Sequence, residues 1–197
     1  MKKAAASDKG WVVEILAKSF DSNKSVNFIV KQDESRLARI RALMGYSFDI
    51  CHLFGAVFVS DDKKACALIL YSERNQTSLK SVWLNLKLIF QCIGLNRLPE
   101  ILKREKSLKK IRPSHPHIYL WFIGVDPASQ KMGIGKKMLE DIKELGIKTK
   151  KPIYLETSTM NNIPWYERAG FTIYNERYFG YKLTFMKKEA EQSHMLR

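Results

Sequence analysis

The sequence predicts a single α/β domain, and three observations carry that prediction. Short β-branched and aromatic runs alternate with amphipathic stretches of helical period along all 197 residues. Neither an internal repeat nor a low-complexity linker divides the chain. A composition of 45% hydrophobic and 27% charged residues is ordinary for a globular protein, and a chain of this length buries a core large enough to hold a small-molecule site.

Residues 2–5 read as a short first strand. Ser7 stands as the N-cap of a helix over 7–20, in which Trp11, Val12, Ile15, Leu16 and Phe20 recur at helical spacing. A second helix covers 34–53, with Leu37, Ile40, Leu43 and Met44 on one face. Past Gly55, the apolar runs 56–60 and 65–71, joined by Asp61-Asp62-Lys63-Lys64, form a β-hairpin. Two helices follow at 77–93 and 99–111, an insertion in the connection before the next strand. The first is rich in Leu, Trp and Phe; the second sets Leu98, Ile101, Leu102, Leu108 and Ile111 against lysines and arginines. Such stripes suit a membrane surface, but packing against the chain's own domain is the commoner use and is the expectation here.

The run Ile118-Tyr119-Leu120-Trp121-Phe122-Ile123-Gly124-Val125, bounded by prolines, is a central strand. A polar turn leads to a helix over 133–145, closed by Gly146. Residues 153–157 form a short strand, and 162–169 a short helix with Pro164 in its first turn and Gly170 just past its end. Strands over 171–177 and 181–186 precede a polar tail at about 188–197.

Composition narrows the function. Lys and Arg number 34 against 20 Asp and Glu, and the formal charge of +14 favours anionic ligands and surfaces by long-range electrostatics. The basic residues are dispersed along the chain, so nucleic-acid binding is not expected, although Lys103, Arg104, Lys106, Lys109, Lys110 and Arg112 keep it as an alternative. Cys51, Cys66 and Cys92 contain no C-x-x-C pair, which fits buried thiols in a reducing compartment and no zinc site. No apolar run follows Lys2 and Lys3, and 79–93 is interrupted by Lys80, Asn85, Lys87 and Gln91; the expectation is a cytoplasmic protein with no membrane segment. His115 and His117 share one face of an extended segment and could act as a base, but without a third ligand no metal is expected.

The informative stretch is Val125-Asp126-Pro127-Ala128-Ser129-Gln130-Lys131-Met132-Gly133-Ile134-Gly135-Lys136, between a buried strand and an amphipathic helix. Strand, glycine-bearing turn and helix start make an anion site, because the first N–H groups of a helix are unpaired and its dipole is positive there. Lys131 and Lys136 add charge. A Walker A loop would need glycine at Gln130 and Ser or Thr at Lys137; a dinucleotide fingerprint starting at Gly133 would need glycine or alanine at Met138. Both fail.

The segment Gln130-Lys131-Met132-Gly133-Ile134-Gly135, with Val125-x-Pro127 before it, resembles the signature of the GNAT superfamily of acyl-CoA-dependent N-acyltransferases. Leu155-Glu156-Thr157-Ser158 and Asn162-Ile163-Pro164-Trp165-Tyr166-Glu167-Arg168-Ala169-Gly170-Phe171 strengthen the likeness, which is greatest for the puromycin N-acetyltransferase branch. The resemblance implies a mixed, mostly antiparallel sheet of about six or seven strands, splayed at a cofactor cleft and flanked by helices. It implies acetyl-CoA as co-substrate, with the pyrophosphate on Lys131 to Lys136 and the thioester along Ile123, Gly124 and Val125, where a strand bulge aims backbone N–H groups at it. Gln130, Met132, Gly133, Ile134, Gly135 and Asn162 complete the implied cofactor contacts. Tyr166 is the implied general acid, and Glu156, on the strand facing the cleft, is the first candidate base, with substrate orientation or pairing to a lysine as its alternative role. The acceptor is then a small-molecule amine or an amine on a protein, used by a monomer or homodimer. A non-catalytic acyl-CoA-binding or sensing module is the alternative function.

Overall fold

A computed structural model describes residues 1–74 and 77–190; the last part of the tail expected at 188–197 lies outside the described residues. Seven strands, β1 (Lys2–Lys3), β2 (Gly55–Val59), β3 (Ala65–Tyr71), β4 (Ile118–Val125), β5 (Ile153–Thr157), β6 (Thr172–Tyr178) and β7 (Lys182–Lys188), form one sheet in the order β1-β2-β3-β4-β5-β7-β6. Every neighbouring pair is antiparallel except β4 and β5. Flanking it are helices α1 (Lys9–Ser19), α2 (Lys24–Ile29), α3 (Arg36–Phe54), α4 (Leu79–Leu88), α5 (Leu98–Lys109), α6 (Ile134–Thr149) and α7 (Ile163–Arg168). The mixed, mostly antiparallel α/β architecture expected from the sequence is the one observed.

The parallel pair is short. β4 and β5 match only at Ile118↔Ile153, Tyr119↔Tyr154 and Leu120↔Leu155. Past that point β4 continues along β3 as far as Val125, while β5 continues along β7 through Glu156↔Phe185 and Thr157↔Thr184. The two strands therefore splay, and the backbone of β4 beyond Leu120 has no strand on that side.

A bulge sits at the same place. Leu68 and Ile69, adjacent on β3, face Phe122 and Leu120 on β4, so Trp121 is an extra residue. The insertion reverses the alternation: Ile118 and Leu120 join one core, Phe122 the opposite one. One face of the sheet, with Val57, Val59, Cys66 and Leu68, packs under Leu16 of α1 and Ile40, Met44 and Phe48 of α3. The other face, with Ala67, Ile69 and Leu155, packs under Met138 and Ile142 of α6 and Tyr166 of α7. A third cluster joins Leu108 of α5 to Tyr181, Leu183 and Phe185 of the C-terminal hairpin.

Several boundaries differ from the sequence reading. Ala6–Asp8 is a 3-10 turn, and the helix starts at Lys9, so Ser7 is not its cap. Asp8 organises the turn by accepting from the Ala5 N–H at 2.8 Å and from Trp11 Nε1 at 3.0 Å. α2 was not foreseen; Asn23 Oδ1 caps it by accepting the Val26 N–H at 3.0 Å. The helix expected over 77–93 gives way after Leu88 to a π-turn over Ile89–Ile93. α6 does not stop at Gly146 but runs to Thr149, because Ile153 packs where a side chain at 146 would sit, and the left-handed Lys150 (φ 53°) ends it.

The stripe on α4 also departs from expectation. Ser81 and Leu84 are buried, whereas Leu79, Val82, Trp83, Leu86 and, one turn on, Phe90 are exposed. The three cysteines are free and buried; burial pushes the Cys51 thiol up and those of Cys66 and Cys92 up to about 12.

Gly55, at the junction of α3 and β2, admits no side chain: a Cβ there would lie 1.9 Å from the Ile69 carbonyl oxygen across the ladder. Gly55→Ala is expected to lower stability by about 3 kcal/mol in urea unfolding, since the paired backbone must move to relieve the overlap; wild-type stability would show that β2 and β3 do not pair in this register.

Candidate active site

The loop after β4 is pinned at its start and open at its end. Ser19 Oγ donates to the Val125 carbonyl at 2.8 Å, the Asp126 N–H donates to Lys64 O at 2.8 Å, and Asp126 Oδ1 accepts from the Ala128 N–H at 3.1 Å. Lys131 (φ 64°) and Gly133 (φ 81°) then turn the chain through left-handed conformations into α6. The first N–H of this helix to find a carbonyl is that of Lys137, which donates to Gly133 O at 3.0 Å. Among the described residues, none of the backbone N–H groups from Lys131 to Lys136 has a hydrogen-bond acceptor. They stand as unpaired donors at the positive end of a helix of 16 residues, with Gln130, Lys131, Met132 and Lys136 exposed around it.

The glycines divide the work. A Cβ at Gly133 meets nothing within 4 Å, so glycine is needed there for its positive φ. At Gly135 a Cβ would come 3.1 Å from Val125 Cγ2, which makes this glycine a close helix-to-strand contact as well. The missing side chain of Gly124 faces α1, with Leu16 Cδ2 at 2.9 Å from a built Cβ, so glycine there admits the helix. Ile123 and Val125 pack toward the α6 side, and their backbone borders the gap left by β5.

Glu156 projects from β5 onto the α5 side of the sheet, its side chain 8% exposed, and its Oε1 accepts from Arg112 Nε at 2.6 Å. Arg112 was not foreseen in this role; it lies just past α5, far from β5 in sequence, and displaces the lysine anticipated as a partner. Its second terminal nitrogen donates to Tyr119 Oη at 3.3 Å, and its first lies 3.7 Å from Glu105. Glu105 in turn accepts from the buried Arg104 at 2.8 Å, which also donates to Ser25 Oγ at 2.7 Å and Tyr181 Oη at 3.0 Å. Burial works against the Arg112 charge, but Tyr119, Glu156 and Glu105 hold its pKa above the ordinary arginine value. Burial, and then Glu156, pushes the Tyr119 phenol well above its usual range. Arg104 and Arg112 thus turn inward, which breaks up the basic run of 103–112 as an outward-facing surface.

Tyr166 comes from the other side. It is buried in α7 between Trp165 and Phe171, with ring centroids at 4.7 and 5.7 Å. Its hydroxyl has no hydrogen-bond partner among the described residues, yet no sealed side-chain oxygen or nitrogen there lacks one, so the phenol oxygen reaches an accessible surface. Burial raises its pKa, which keeps it protonated at neutral pH. Tyr166 shares a core with Ile153 and Leu155, while Glu156 alternates to the opposite face; the two straddle the sheet where β4 and β5 part. Asn162 is exposed at the start of α7 and makes no cap bond.

The histidines are held elsewhere. His115 Nε2 is 3.1 Å from Tyr154 Oη, His117 Nδ1 is 2.8 Å from the His115 carbonyl, and both precede Ile118, where β4 and β5 are still paired. Among the described residues no group of three or more His, Cys, Asp or Glu is placed to hold a metal ion.

Comparison with known proteins agrees with this geometry. The sequence profile of the Acetyltransferase (GNAT) family matches residues 38–171. In fold the chain is similar to a histone acetyltransferase HPA2 and related acetyltransferase from Corynebacterium glutamicum, with TM-score 0.70 and 15% identity over 98% of this chain and 97% of that one. It is similar to the C-terminal condensation domain of Ebony, solved with beta-alanyl-dopamine, with TM-score 0.70 and 11% identity over 95% and 97%. It also resembles arylalkylamine N-acetyltransferase 2 from Aedes aegypti, with TM-score 0.61 and 18% identity over 96% and 98%.

Arg112 lies against both Glu105 and Glu156 and so links α5 to β5. Arg112→Met is expected to cost about 2 kcal/mol in urea unfolding, because Glu156 keeps its charge in a nearly closed position; an unchanged midpoint would mean that water already carries that charge.

Proposed function

The chain belongs to the GNAT acetyltransferase family, and we propose that it moves an acetyl group from acetyl-CoA to a primary amine by direct attack, without a covalent enzyme intermediate. The observation that carries this reading is the row of unpaired N–H groups from Lys131 to Lys136 beside the bulged, half-unpaired β4. Unpaired donors at a helix start suit a pyrophosphate, and Lys131 and Lys136 supply countercharge. When bound there, acetyl-CoA supplies an activated acetyl thioester.

The residues of the chain take the remaining roles. Backbone N–H groups of Ile123 to Val125 that face the gap donate to the oxygen on which charge develops. Tyr166, a phenol whose ionisation burial disfavours further, gives its proton to the departing thiolate. Glu156 receives the proton of the acceptor ammonium, directly or through water, on the oxygen that Arg112 leaves free. Asn162 and Gln130 border the cofactor path. The acceptor is a small-molecule amine, in line with the motif likeness to the puromycin N-acetyltransferase branch and with the arylalkylamine in the name of the Aedes neighbour. The protein works in the cytoplasm.

Calorimetric titration with acetyl-CoA, NAD and ATP, followed by thiol release with a panel of amines, tests the reading. Selective acetyl-CoA binding with amine-dependent release is expected; binding without release from any amine would favour the sensing module, and no binding would remove the proposal. Gly133→Val forces a β-branched residue to φ 81° and should weaken acetyl-CoA binding while costing about 1–2 kcal/mol of stability. Tyr166→Phe should lower turnover about a hundredfold with cofactor affinity nearly unchanged. In the wild type no loss of rate from Tyr166 ionisation is expected below about pH 10, since its pKa is raised; wild-type turnover in the phenylalanine variant would take Tyr166 out of the mechanism.

A further inference from the structure

Helix α4 is apolar on two opposite sides. Toward the protein it buries Ser81 and Leu84, and Leu88 packs against the core beneath α1 and α3. Away from the protein it presents Leu79 at 92% exposure, Val82, Trp83 at 59%, Leu86 and, in the turn that follows, Phe90 at 65%. The spacing of three and four residues puts these five on one stripe facing solvent. The helix is held firmly in that orientation: Tyr46 Oη donates to Asn85 Oδ1 at 2.7 Å, Arg39 to the Gln91 carbonyl at 3.1 Å, and the Lys31 N–H to the Cys92 carbonyl at 3.0 Å. The stripe is therefore not a core face that missed its partner by a rotation, since the other side of the helix already fills that role.

Its surroundings specify what covers it. Lys80 and Lys87 flank the stripe, the latter with its ammonium 5.2 Å over the Trp83 ring. No acidic residue occurs between Glu73 and Glu100. Next in the chain, α5 also exposes Leu102 among Lys103, Lys106 and Lys109, with Lys110 following, all exposed. An outward row of Leu, Trp and Phe bordered by lysines matches a helix that lies in the interfacial plane of a membrane, its rings at the boundary and its ammonium groups on the headgroups. A second copy of this chain would bring the same uncompensated lysines and its own share of a +14 charge to the contact. A negatively charged surface is drawn by both features.

We infer that the α4 stripe docks this protein on anionic phospholipid membranes. No helix among the described residues is long and apolar enough to cross a membrane, so the attachment is peripheral. It takes the place of the self-packing expected for this stripe, and it sets the absence of a membrane partner expected from the sequence against what α4 exposes.

The test is co-sedimentation of the full chain with phosphatidylcholine vesicles containing phosphatidylglycerol and with pure phosphatidylcholine vesicles, reading tryptophan emission in parallel. Binding to the anionic vesicles, a blue shift and weaker binding in high salt are expected. Trp83→Ser with Phe90→Ser, both at exposed positions, should lower anionic-vesicle binding about a hundredfold with the circular dichroism of the wild type intact. Wild-type protein that binds no vesicle would overturn the inference. So would vesicle binding that the double variant keeps, which would assign attachment to diffuse charge, and so would a concentration-dependent dimer lost in the double variant without vesicle binding, which would assign the stripe to a second copy.

Discussion

Everything at the candidate site depends on a parallel pairing that ends early. β4 and β5 share three matched positions and then follow different partners, β4 to β3 and β5 to β7. A strand interior leaves no backbone group for a ligand, because each N–H and C=O is used by a neighbour. By separating, the two strands free the β4 edge beyond Leu120 without exposing the apolar side chains that alternate above and below it. The extra residue at Trp121 makes the separation compatible with a packed core on both faces, since it hands Phe122 to α1 and α3 and leaves Leu120 with α6 and α7. The loop with its unpaired N–H groups then begins at the free end of that edge, fixed by Ser19 from α1 and by Lys64 from the β2–β3 turn.

The two titratable groups assigned to chemistry reach the gap under opposite electrostatic regimes. Tyr166 sits among aromatic rings with no charge beside it, so burial alone keeps its proton in place. Glu156 sits at the end of an alternating series, Arg104, Glu105, Arg112 and Glu156, in which each charge is compensated by the next. A carboxylate held on one oxygen by a guanidinium keeps its direction, with the other oxygen left to a substrate. That division suits the proposed reaction, in which one proton is lost from an ammonium in a polar corner and another is supplied from among aromatic rings. It also ties the inserted helices to the sheet: the residue that orients Glu156 is the one that follows α5.

What the sequence made legible was local. The loop from Val125 to Lys136 announced itself because strand, turn and helix start are contiguous, and the bounds of β4 and β5 follow from apolar runs closed by prolines and polar residues. The bulge was not legible: every residue from Ile118 to Ile123 is aromatic or aliphatic, so either phase of alternation buries an acceptable side chain. Arg112 was missed because its partner is 44 positions away and nothing in a linear pattern couples them. α2, at six residues, is too short to show a period, and the Gly146 stop signal failed because Ile153 packs into the space that a glycine alone leaves. The packing role of Gly124 was not legible, because hydropathy cannot reveal that α1 crosses there. α4 misled for a related reason, since a helix apolar on both sides does not say which side its own protein will use.

Cys51, Cys66 and Cys92 are each fully buried, and burial suppresses their ionisation. A thiolate is the species that attacks a disulfide reagent, so the folded chain contributes no prompt colour to such a reagent. In a reacting mixture the sulfhydryl that develops on the timescale of turnover then belongs to the released product alone, while a slow second phase would signal unfolding of the protein itself. The same three positions that give the cores their small, dense side chains therefore make this acetyltransferase its own internal control, with product formation and loss of fold separated in one trace by their rates.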